Sequence, residues 1–454
     1  MKRYWVLPSL LGIALVFTAW WGYSQFNQRR ALETNLSNQY QRAFYETVDH
    51  VQKVQNLLGK SQVAATPKTQ AAVFSDLWHQ SVAAQENLSQ LPMYNPSIIK
   101  TSKFLNQVGD YSFALNKLSA SGKPPAQRDM TQLNQLYTRS VALHNELENV
   151  QMKVLSGNIS LFKLQQETAK LQGKRTTTVG AETKRLGLTE KELGNYPTLI
   201  YDGPFSDRIK TKSPQGLTGG NITAAQSQAA ARTFVDKQNN ETFKAVSNGL
   251  KKGPIPVYSL RLTPAGVKGA RDIMVDVSKK GGHVTFYLNT RNVGKATISM
   301  EEAKKKGLSY LKSRGYDNME STFMLKQNNI GVITMVYKQD NTLVYPDLVK
   351  VQVALDNGQV VGFDGTGYLV SHHNRTIEKP KVTVEEAQRT VASQVKVERK
   401  QEAIIPLESG KELLTWEFKA TFNGETYFIY VNASNGNEER ILKVLKTANG
   451  TLAM

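Results

Sequence analysis

Two pairs of adjacent glutamates, each at a predicted helix start, are candidate catalytic residues of this sequence. The pairs are Glu301-Glu302 and Glu385-Glu386. Hydrolysis of a glycan requires two carboxylates that face one cleft. However, Ser299 and Thr383 stand three residues before the second glutamate of each pair, which is the spacing of a helix capping box. Acidic residues in a first helical turn also complement the helix dipole. The pattern therefore favours capping over acid–base chemistry.

The sequence gives even weaker signals for other kinds of catalytic or metal site. The chain has no cysteine, which excludes disulfides, thiol nucleophiles and thiolate zinc sites. His372-His373 is the nearest approach to a metal motif, but neighbouring residues on a strand point to opposite faces, so joint chelation is awkward. No Gly-x-Ser-x-Gly elbow and no phosphate-binding loop stands out. We predict no catalytic residue, no metal and no cofactor.

The helix caps repeat along the second half of the chain. Their cap residues are separated by 76 residues (223 to 299) and by 84 residues (299 to 383). In each case a Ser or Thr hydroxyl can accept from the third helical N–H while a Gln or Glu reaches back. The three pairs are Thr223 with Gln226, Ser299 with Glu302, and Thr383 with Glu386. A repeat of this length corresponds to a small domain.

Alternating strand-like runs and glycine-bearing turns follow each cap. The turns are Lys279-Lys280-Gly281-Gly282, Asp356-Asn357-Gly358 and Asn435-Gly436, and the flanking runs are 272–277 with 284–288, 349–355 with 360–363, and 426–431 with 440–444. Period-two alternation gives a sheet one face for its helix and one for solvent or a partner. We predict three tandem α+β modules, at 220–296, 297–378 and 379–454, each with its own sheet.

The N-terminal half is predicted to be helical. Lys2 and Arg3 precede an uncharged run from Trp5 to Phe26, which predicts an uncleaved membrane-spanning anchor within 1–27, with the N-terminus in the cytoplasm. Apolar residues at three- and four-residue steps then predict an all-α helical bundle over 28–172. A homodimeric coiled coil is the alternative. Residues 173–219 read as a linker.

The formal charge of +19 and the isoelectric point near 9.7 favour contact with polyanions. Candidates are anionic lipid headgroups and anionic wall polymers. No segment combines clustered arginine with interleaved aromatic residues in a known nucleic-acid module, so nucleic acid is not predicted as a partner.

One segment within the linker is unusual. An apolar run is followed by a turn of little conformational freedom, Tyr201-Asp202-Gly203-Pro204-Phe205-Ser206-Asp207. This segment, placed between an anchored helical region and three repeated modules, resembles the YpeB family of spore-germination proteins from endospore-forming bacteria. The modules resemble PepSY domains.

The module residues that match the PepSY pattern fall mainly in the second and third copies. They are Ser299, Glu301, Glu302, Ala303, Asp356 and Gly358, and Thr383, Glu385, Glu386, Ala387 and Gly436. The first copy departs from the pattern, because Ala225 and Ser227 stand where an acidic residue and alanine are expected.

The resemblance implies a non-catalytic partner of a spore-cortex-lytic enzyme, which is a peptidoglycan hydrolase. In such a family the protein localises, stabilises and restrains the hydrolase, and germination proteases cleave it. The implied location is the spore inner membrane, with most of the chain on the cortex side. Two alternatives stay open: a membrane-anchored sensor or receptor, and a cell-wall-active enzyme that uses an acidic pair.

Overall fold

A computed structural model describes residues 6–91, 96–156, 214–239, 243–264, 273–327, 329–407, 411–447 and 450–453. The chain divides into two compact units. One comprises Met1–Gln62 and Gln70–Lys191, and the other comprises Val63–Thr69 and Glu192–Met454. We refer to them as the helical unit and the sheet unit.

Four described helices form the N-terminal region: α1 (Val6–Ser61), α2 (Pro67–Ser89), α3 (Pro96–Ala120) and α4 (Gln127–Leu155). Proline occupies the first position of α2 and of α3, where the N–H that proline lacks would have no partner within the helix. Residues from all four helices contribute to two apolar clusters. Each helix contributes at least one fully buried side chain to these clusters, for example Leu58, Leu77, Val108 and Leu133 in chain order.

The predicted membrane-spanning helix is not supported. Among the residues that the structure describes, no helix has a stretch that is both long and apolar enough to cross a bilayer. The side chains described in this part of α1 begin at Leu15, and from there to Phe26 aromatic and polar residues alternate with the apolar ones. Thr18, Trp20, Trp21, Gly22, Tyr23, Ser24 and Gln25 all lower the mean hydropathy of that stretch.

The sheet unit contains four described helices and thirteen described strands. The helices are α5 (Ala224–Asn239), α6 (Met300–Lys312), α7 (Thr366–Ser371) and α8 (Val384–Thr390). The strands are β1 (Phe243–Lys251), β2 (Val257–Pro264), β3 (Ile273–Ser278), β4 (Val284–Asn289), β5 (Met319–Gln327), β6 (Ile330–Gln339), β7 (Thr342–Ala354), β8 (Val360–Asp364), β9 (Lys396–Pro406), β10 (Glu412–Phe422), β11 (Glu425–Asn432), β12 (Glu438–Thr447) and β13 (Gly450–Ala453).

The prediction of three separate sheets was wrong, because the strands join into one mixed sheet. Its order is β1-β2-β3-β4-β8-β7-β6-β5-β13-β12-β11-β10-β9. The first and second repeats join where Tyr287 of β4 pairs with Phe363 of β8. The second and third join twice, through Gly450 with Leu325 and through the parallel pair Leu343 with Ala403. Pairing satisfies edges that separate sheets would expose.

Shared apolar cores explain why the repeats do not remain separate. Phe234 of α5 lies in the first repeat, yet its ring centroid is 5.3 Å from that of Phe363 in β8. The rings of Tyr287 and Tyr310 are each 6.1 Å from Phe234. One cluster of buried residues therefore extends from α5 and β3 to α6 and β8. The helices of the first two repeats together cover a common surface.

The second and third repeats share a core that also contains a buried acid. Tyr345 of β7 donates to Glu417 of β10, and Gln401 Nε2 donates to the other carboxylate oxygen at 2.7 Å. Arg399 Nη2 lies 3.2 Å from the same oxygen. Glu417 is 1% exposed, and burial raises the pKa of its carboxyl. A buried polar group with several partners fixes how two elements meet.

Residues 63–69 pack within the sheet unit. Val63 and Ala64 are buried beside Tyr427 and Ile429 of β11. The Ala65 N–H donates to Glu438 Oε1 at 3.2 Å, and the Thr69 hydroxyl donates to the Glu438 carbonyl oxygen at 3.1 Å. Burial raises the pKa of the Glu438 carboxyl to about 7.

Candidate functional site

The predicted capping boxes are present in all three repeats. The Ser299 N–H donates to Glu302 Oε2 at 2.8 Å, while the Glu302 N–H donates to Ser299 Oγ at 3.2 Å. Thr383 and Glu386 make the same pair of bonds at 2.9 and 3.3 Å. Thr223 and Gln226 do so at 2.8 and 3.3 Å. Each exchange satisfies two N–H groups that a helix start would leave unpaired.

These bonds use the carboxylates that a glycan hydrolase would need free. Hydrogen bonds from the Ser299 backbone and hydroxyl hold the pKa of Glu302 below its usual value, and Thr383 does the same for Glu386. Glu301 forms an ion pair with Lys304 one turn later. A lowered pKa keeps a carboxyl ionised, which is the opposite of what a general acid at neutral pH requires.

The turn at Asp356 is held by an arginine from outside its hairpin. Arg291, which follows β4, donates through Nη1 and Nη2 to the two Asp356 carboxylate oxygens, both at 2.8 Å. The Gly294 N–H donates to the same carboxylate at 2.8 Å. These bonds lower the pKa of Asp356 to about 2. Asp356 therefore ties the β7–β8 turn to the segment that joins the first and second repeats.

Replacing Asp356 with asparagine is expected to give a pH-dependent loss of stability. The pKa of Asp356 is lower in the folded protein than in the unfolded chain, so its contribution is full at neutral pH and disappears as the pH falls from about 4 to about 2. At pH 7 we expect Asp356→Asn to lower the free energy of unfolding by about 1–2 kcal/mol, allowing for partial solvent screening. Urea unfolding of both proteins across that pH range measures the difference.

The control is Asp317→Asn, which removes an exposed acid outside the Arg291 contact. We expect it to match the parent chain within about 0.5 kcal/mol at every pH. A difference at Asp356 that stays constant down to pH 2 would contradict the assignment.

All four glycines of the predicted turns adopt left-handed backbone conformations, and Gly358 and Gly436 are the two among the site candidates. Gly358 has φ of 79°, and a Cβ there would lie 2.2 Å from Lys306 Cδ. Gly436 has φ of 74°, and its N–H donates to the Asn432 carbonyl oxygen at 2.9 Å. Both glycines are explained by turn geometry. Their role in binding a partner stays a prediction.

The His372-His373 region forms a buried ion cluster. Asp347 of β7 is fully buried and receives two bonds from Arg375, at 2.8 and 2.9 Å. Arg375 also donates to both carboxylate oxygens of Glu412 in β10, at 2.7 and 3.0 Å. His372 Nδ1 lies 2.6 Å from Asp347 Oδ2. We call these residues the Arg375 cluster: Asp347, His372, Arg375 and Glu412. It connects the second and third repeats.

The two histidines do not act together, although the reason differs from the one expected. They do not lie on a strand, since His372 is the C-cap of α7. The His372 ring stacks on Tyr368 with centroids 4.1 Å apart, whereas His373 Nδ1 lies 2.8 Å from the Ser371 carbonyl oxygen. Across the described ranges, no group of three metal-ligating side chains comes together.

Several predicted site residues cannot be placed. Tyr201, Asp202, Gly203, Pro204 and Phe205 lie outside the described residues. The remaining candidates sit in separate caps and turns, and the structure does not bring them into one cleft. Thr223, Ser299 and Thr383 each begin a different helix, which makes every cap a local feature.

Sequence reasoning missed the residues that connect the repeats, namely Arg291, Asp347, Arg375, Glu412 and Glu417. A signal existed for two of them. Asp347 interrupts the apolar run of β7, and Glu417 stands between Trp416 and Phe418 in β10. An acidic residue in an otherwise apolar strand is rarely buried without a partner. The identity of each partner depends on tertiary contacts.

Comparison with known proteins gives matches along most of the chain. Residues 28–163 match the family model described as YpeB N-terminal, and residues 183–378 match YpeB sporulation, PepSY1 and PepSY2 domains. Residues 381–442 match the peptidase propeptide and YPEB domain. Sporulation protein YpeB of Bacillus subtilis (strain 168) is 31% identical over 443 residues, which cover 97% of each chain. The chain belongs to the YpeB family of sporulation proteins.

Other YpeB proteins show the same extent of similarity. Sporulation protein YpeB of Halalkalibacterium halodurans is 28% identical over 448 residues, again with 97% of each chain covered. Among solved structures, the Bacillus megaterium YpeB C-terminal domain is 32% identical, and the match covers 50% of this chain and 99% of that one, with a TM-score of 0.45. The family models and the similarity to the Bacillus subtilis protein confirm the predicted family resemblance, and the family models confirm PepSY domains in the C-terminal half.

Proposed function

We propose that this YpeB-family chain is a non-catalytic germination protein that binds, localises and restrains a cortex-lytic peptidoglycan hydrolase. It protects the hydrolase in the dormant spore, and proteolysis of the chain releases the enzyme during germination. The polar sequence Gly173-Lys174-Arg175-Thr176 lies in the predicted linker and is the cleavage segment that this proposal favours. The charge of +19 suits an acidic partner or an anionic wall polymer.

The observation that carries the proposal is the use of the acidic pairs. Glu302 and Glu386 exchange hydrogen bonds with their own cap residues, and each stands at the start of a different helix. These pairs therefore do not place two carboxylates around one substrate. The recurring polar residues serve caps and turns, and we infer that the repeated fold acts by binding through a sheet surface.

Co-purification tests the binding step. The full chain, immobilised through a tag, is mixed with a purified spore-cortex-lytic hydrolase at equal concentration. We expect the two proteins to elute together as a complex of fixed ratio and to dissociate at high salt, because the basic charge contributes to the association. The same tag without the chain is the control.

Protection is the second measurable property. The hydrolase should retain activity longer at elevated temperature, and resist added protease longer, when the chain is present. Serum albumin at the same mass concentration controls for non-specific protection. If the chain neither retains the hydrolase nor prolongs its lifetime, the proposal fails.

A further inference from the structure

Within the part of the chain that the structure describes, strand β1 lies at an edge of the large sheet. Among the described strands it has a neighbour on one side alone, which is β2. The strand at the other end of the order, β9, pairs with both β10 and β7. The outward backbone N–H and C=O groups of β1 are therefore positioned to pair with an added strand.

The edge is regular along half of its length. Residues Phe243 to Ser247 pair with Pro264 to Leu260 in unbroken antiparallel register. The register then shifts between Ser247 and Leu250, where Gly249 adopts φ of 98°. A bulge bends the strand and ends regular pairing. An added strand would therefore match about five residues of β1.

The side chains of this regular stretch define what could bind there. Lys244 and Val246 are exposed and share one face, because alternate residues of a strand point the same way. Val246 is opposite Arg261 of β2, which in turn is opposite Met274 of β3. Val246 and Met274 are each 49% exposed. The outer face at this edge thus presents apolar side chains beside cationic ones.

A second copy of the chain is a poor occupant of this edge. Lysine side chains and bulges are the features with which natural proteins prevent edge-to-edge association. Two β1 strands would also bring together the cationic edges of two chains that each carry a charge of +19, with Lys244 in both regular stretches. The same lysines attract a strand that carries acidic residues.

We propose that the β1 edge binds an extended acidic segment of a partner protein, which adds as a strand. The segment places an acidic side chain opposite Lys244 and an apolar one opposite Val246, so its recognition pattern is an acidic and an apolar residue two positions apart. This inference rests on the proposed function only for the identity of the partner.

The test uses the full chain and a fluorescein-labelled ten-residue peptide in which every second residue is threonine and the positions between are glutamate and valine in turn. Glutamate and valine then share one face of the strand, two positions apart. Binding is measured by fluorescence anisotropy. We expect saturable binding that Lys244→Glu weakens about tenfold, because an attraction becomes a repulsion. Lys295→Glu makes the same charge change at an exposed residue between β4 and α6 and should have little effect. The same peptide with lysine in place of each glutamate should bind the Lys244→Glu variant more tightly than the parent chain.

A backbone-modified peptide separates strand addition from simple charge attraction. Alternate N–H groups of the bound peptide point toward β1, and the others point away. Two peptides are made, one with the odd-numbered amides N-methylated and one with the even-numbered amides N-methylated. The peptide whose methyl groups replace the donors that face β1 should lose binding. Absence of saturable binding, equal weakening by Lys295→Glu, or insensitivity to both methylation patterns overturns the inference. The inference is also overturned if the chain forms a dimer whose dissociation constant is altered by Lys244→Glu.

The proposed function can fail independently of this inference. If the hydrolase does not co-purify but the peptide binds with the expected dependence on Lys244, the edge inference holds with another partner. If the hydrolase binds the Lys244→Glu variant as tightly as the parent chain, the edge is not its binding site and the proposed function stands.

Discussion

Replacing Arg375 with alanine is expected to lower the free energy of unfolding of the sheet unit by about 3–5 kcal/mol. The substitution leaves Asp347 fully buried without its bidentate cation, and it removes an ion pair of Glu412 as well. The side chain of Arg375 is 5% exposed, so its loss leaves a buried carboxylate of Asp347 without a compensating cation. Urea unfolding of the full chain, followed by hydrogen exchange of peptides from β7 and β10, measures the effect.

Arg389→Ala provides the matched control, because Arg389 is an exposed arginine of α8. We expect it to change stability by no more than about 0.5 kcal/mol. Loss of protection in Arg375→Ala should extend to both β7 and β10, since the Arg375 cluster connects them. An effect of Arg375→Ala as small as that of the control would show that the cluster does not hold the second and third repeats together.

Replacing Gly281 with alanine is the second change for which a large effect is expected. Gly281 has φ of 78°, and a Cβ there would lie 1.9 Å from the Thr218 carbonyl oxygen. The Gly281 N–H donates to the Gly220 carbonyl oxygen at 2.8 Å, so the turn and residues 218–220 are in direct contact. We expect a loss of about 3 kcal/mol, part from the backbone conformation and part from displacement of this segment.

Gly424→Ala isolates the conformational part of that loss. Gly424 has φ of 79°, and no described heavy atom would lie within 4 Å of an added Cβ. The expected loss is therefore about 1 kcal/mol. Thermal unfolding of both variants gives the comparison, and hydrogen exchange of residues 214–221 reports the displaced segment. Equal losses in the two variants would mean that the contact with residues 218–220 contributes nothing.

Local features of this chain could be predicted from its sequence. The capping boxes, the prolines that begin α2 and α3, and the hairpin turn at Asp356 each depend on residues within a few positions of one another. The strands around those turns also appear close to where their alternation places them. For example, the run 426–431 lies within β11 (Glu425–Asn432).

The assembly of the repeats could not be predicted in the same way. Nothing in the alternation of β4 or β8 says that Tyr287 will pair with Phe363 rather than face solvent at an edge. Arg375 reaches acids 28 and 37 residues away, and that choice depends on how α7 and β10 meet. The repeat pattern identified units of sequence, while burial and edge pairing joined them into one sheet.

A single sheet has a consequence for how the protein responds to cleavage and binding. The Arg375 cluster and the Glu417 network fix the second repeat to the third, and Phe234 contacts rings of both the first and the second. A cut within one repeat should therefore weaken its neighbour, whereas a cut at 173–175 leaves these contacts intact. Under the proposed function, the position of the proteolytic cut determines whether the sheet stays folded and can still bind the hydrolase.

Release of muropeptides from purified spore cortex is the most direct test of the account. The full chain alone, the hydrolase alone and an equimolar mixture are incubated with the same cortex peptidoglycan, and soluble products are separated by chromatography. We expect no products above background from the chain alone and a lower rate from the mixture than from the hydrolase. The claim that the chain is non-catalytic would be contradicted if the chain alone released muropeptides and Glu302→Gln or Glu386→Gln abolished that release.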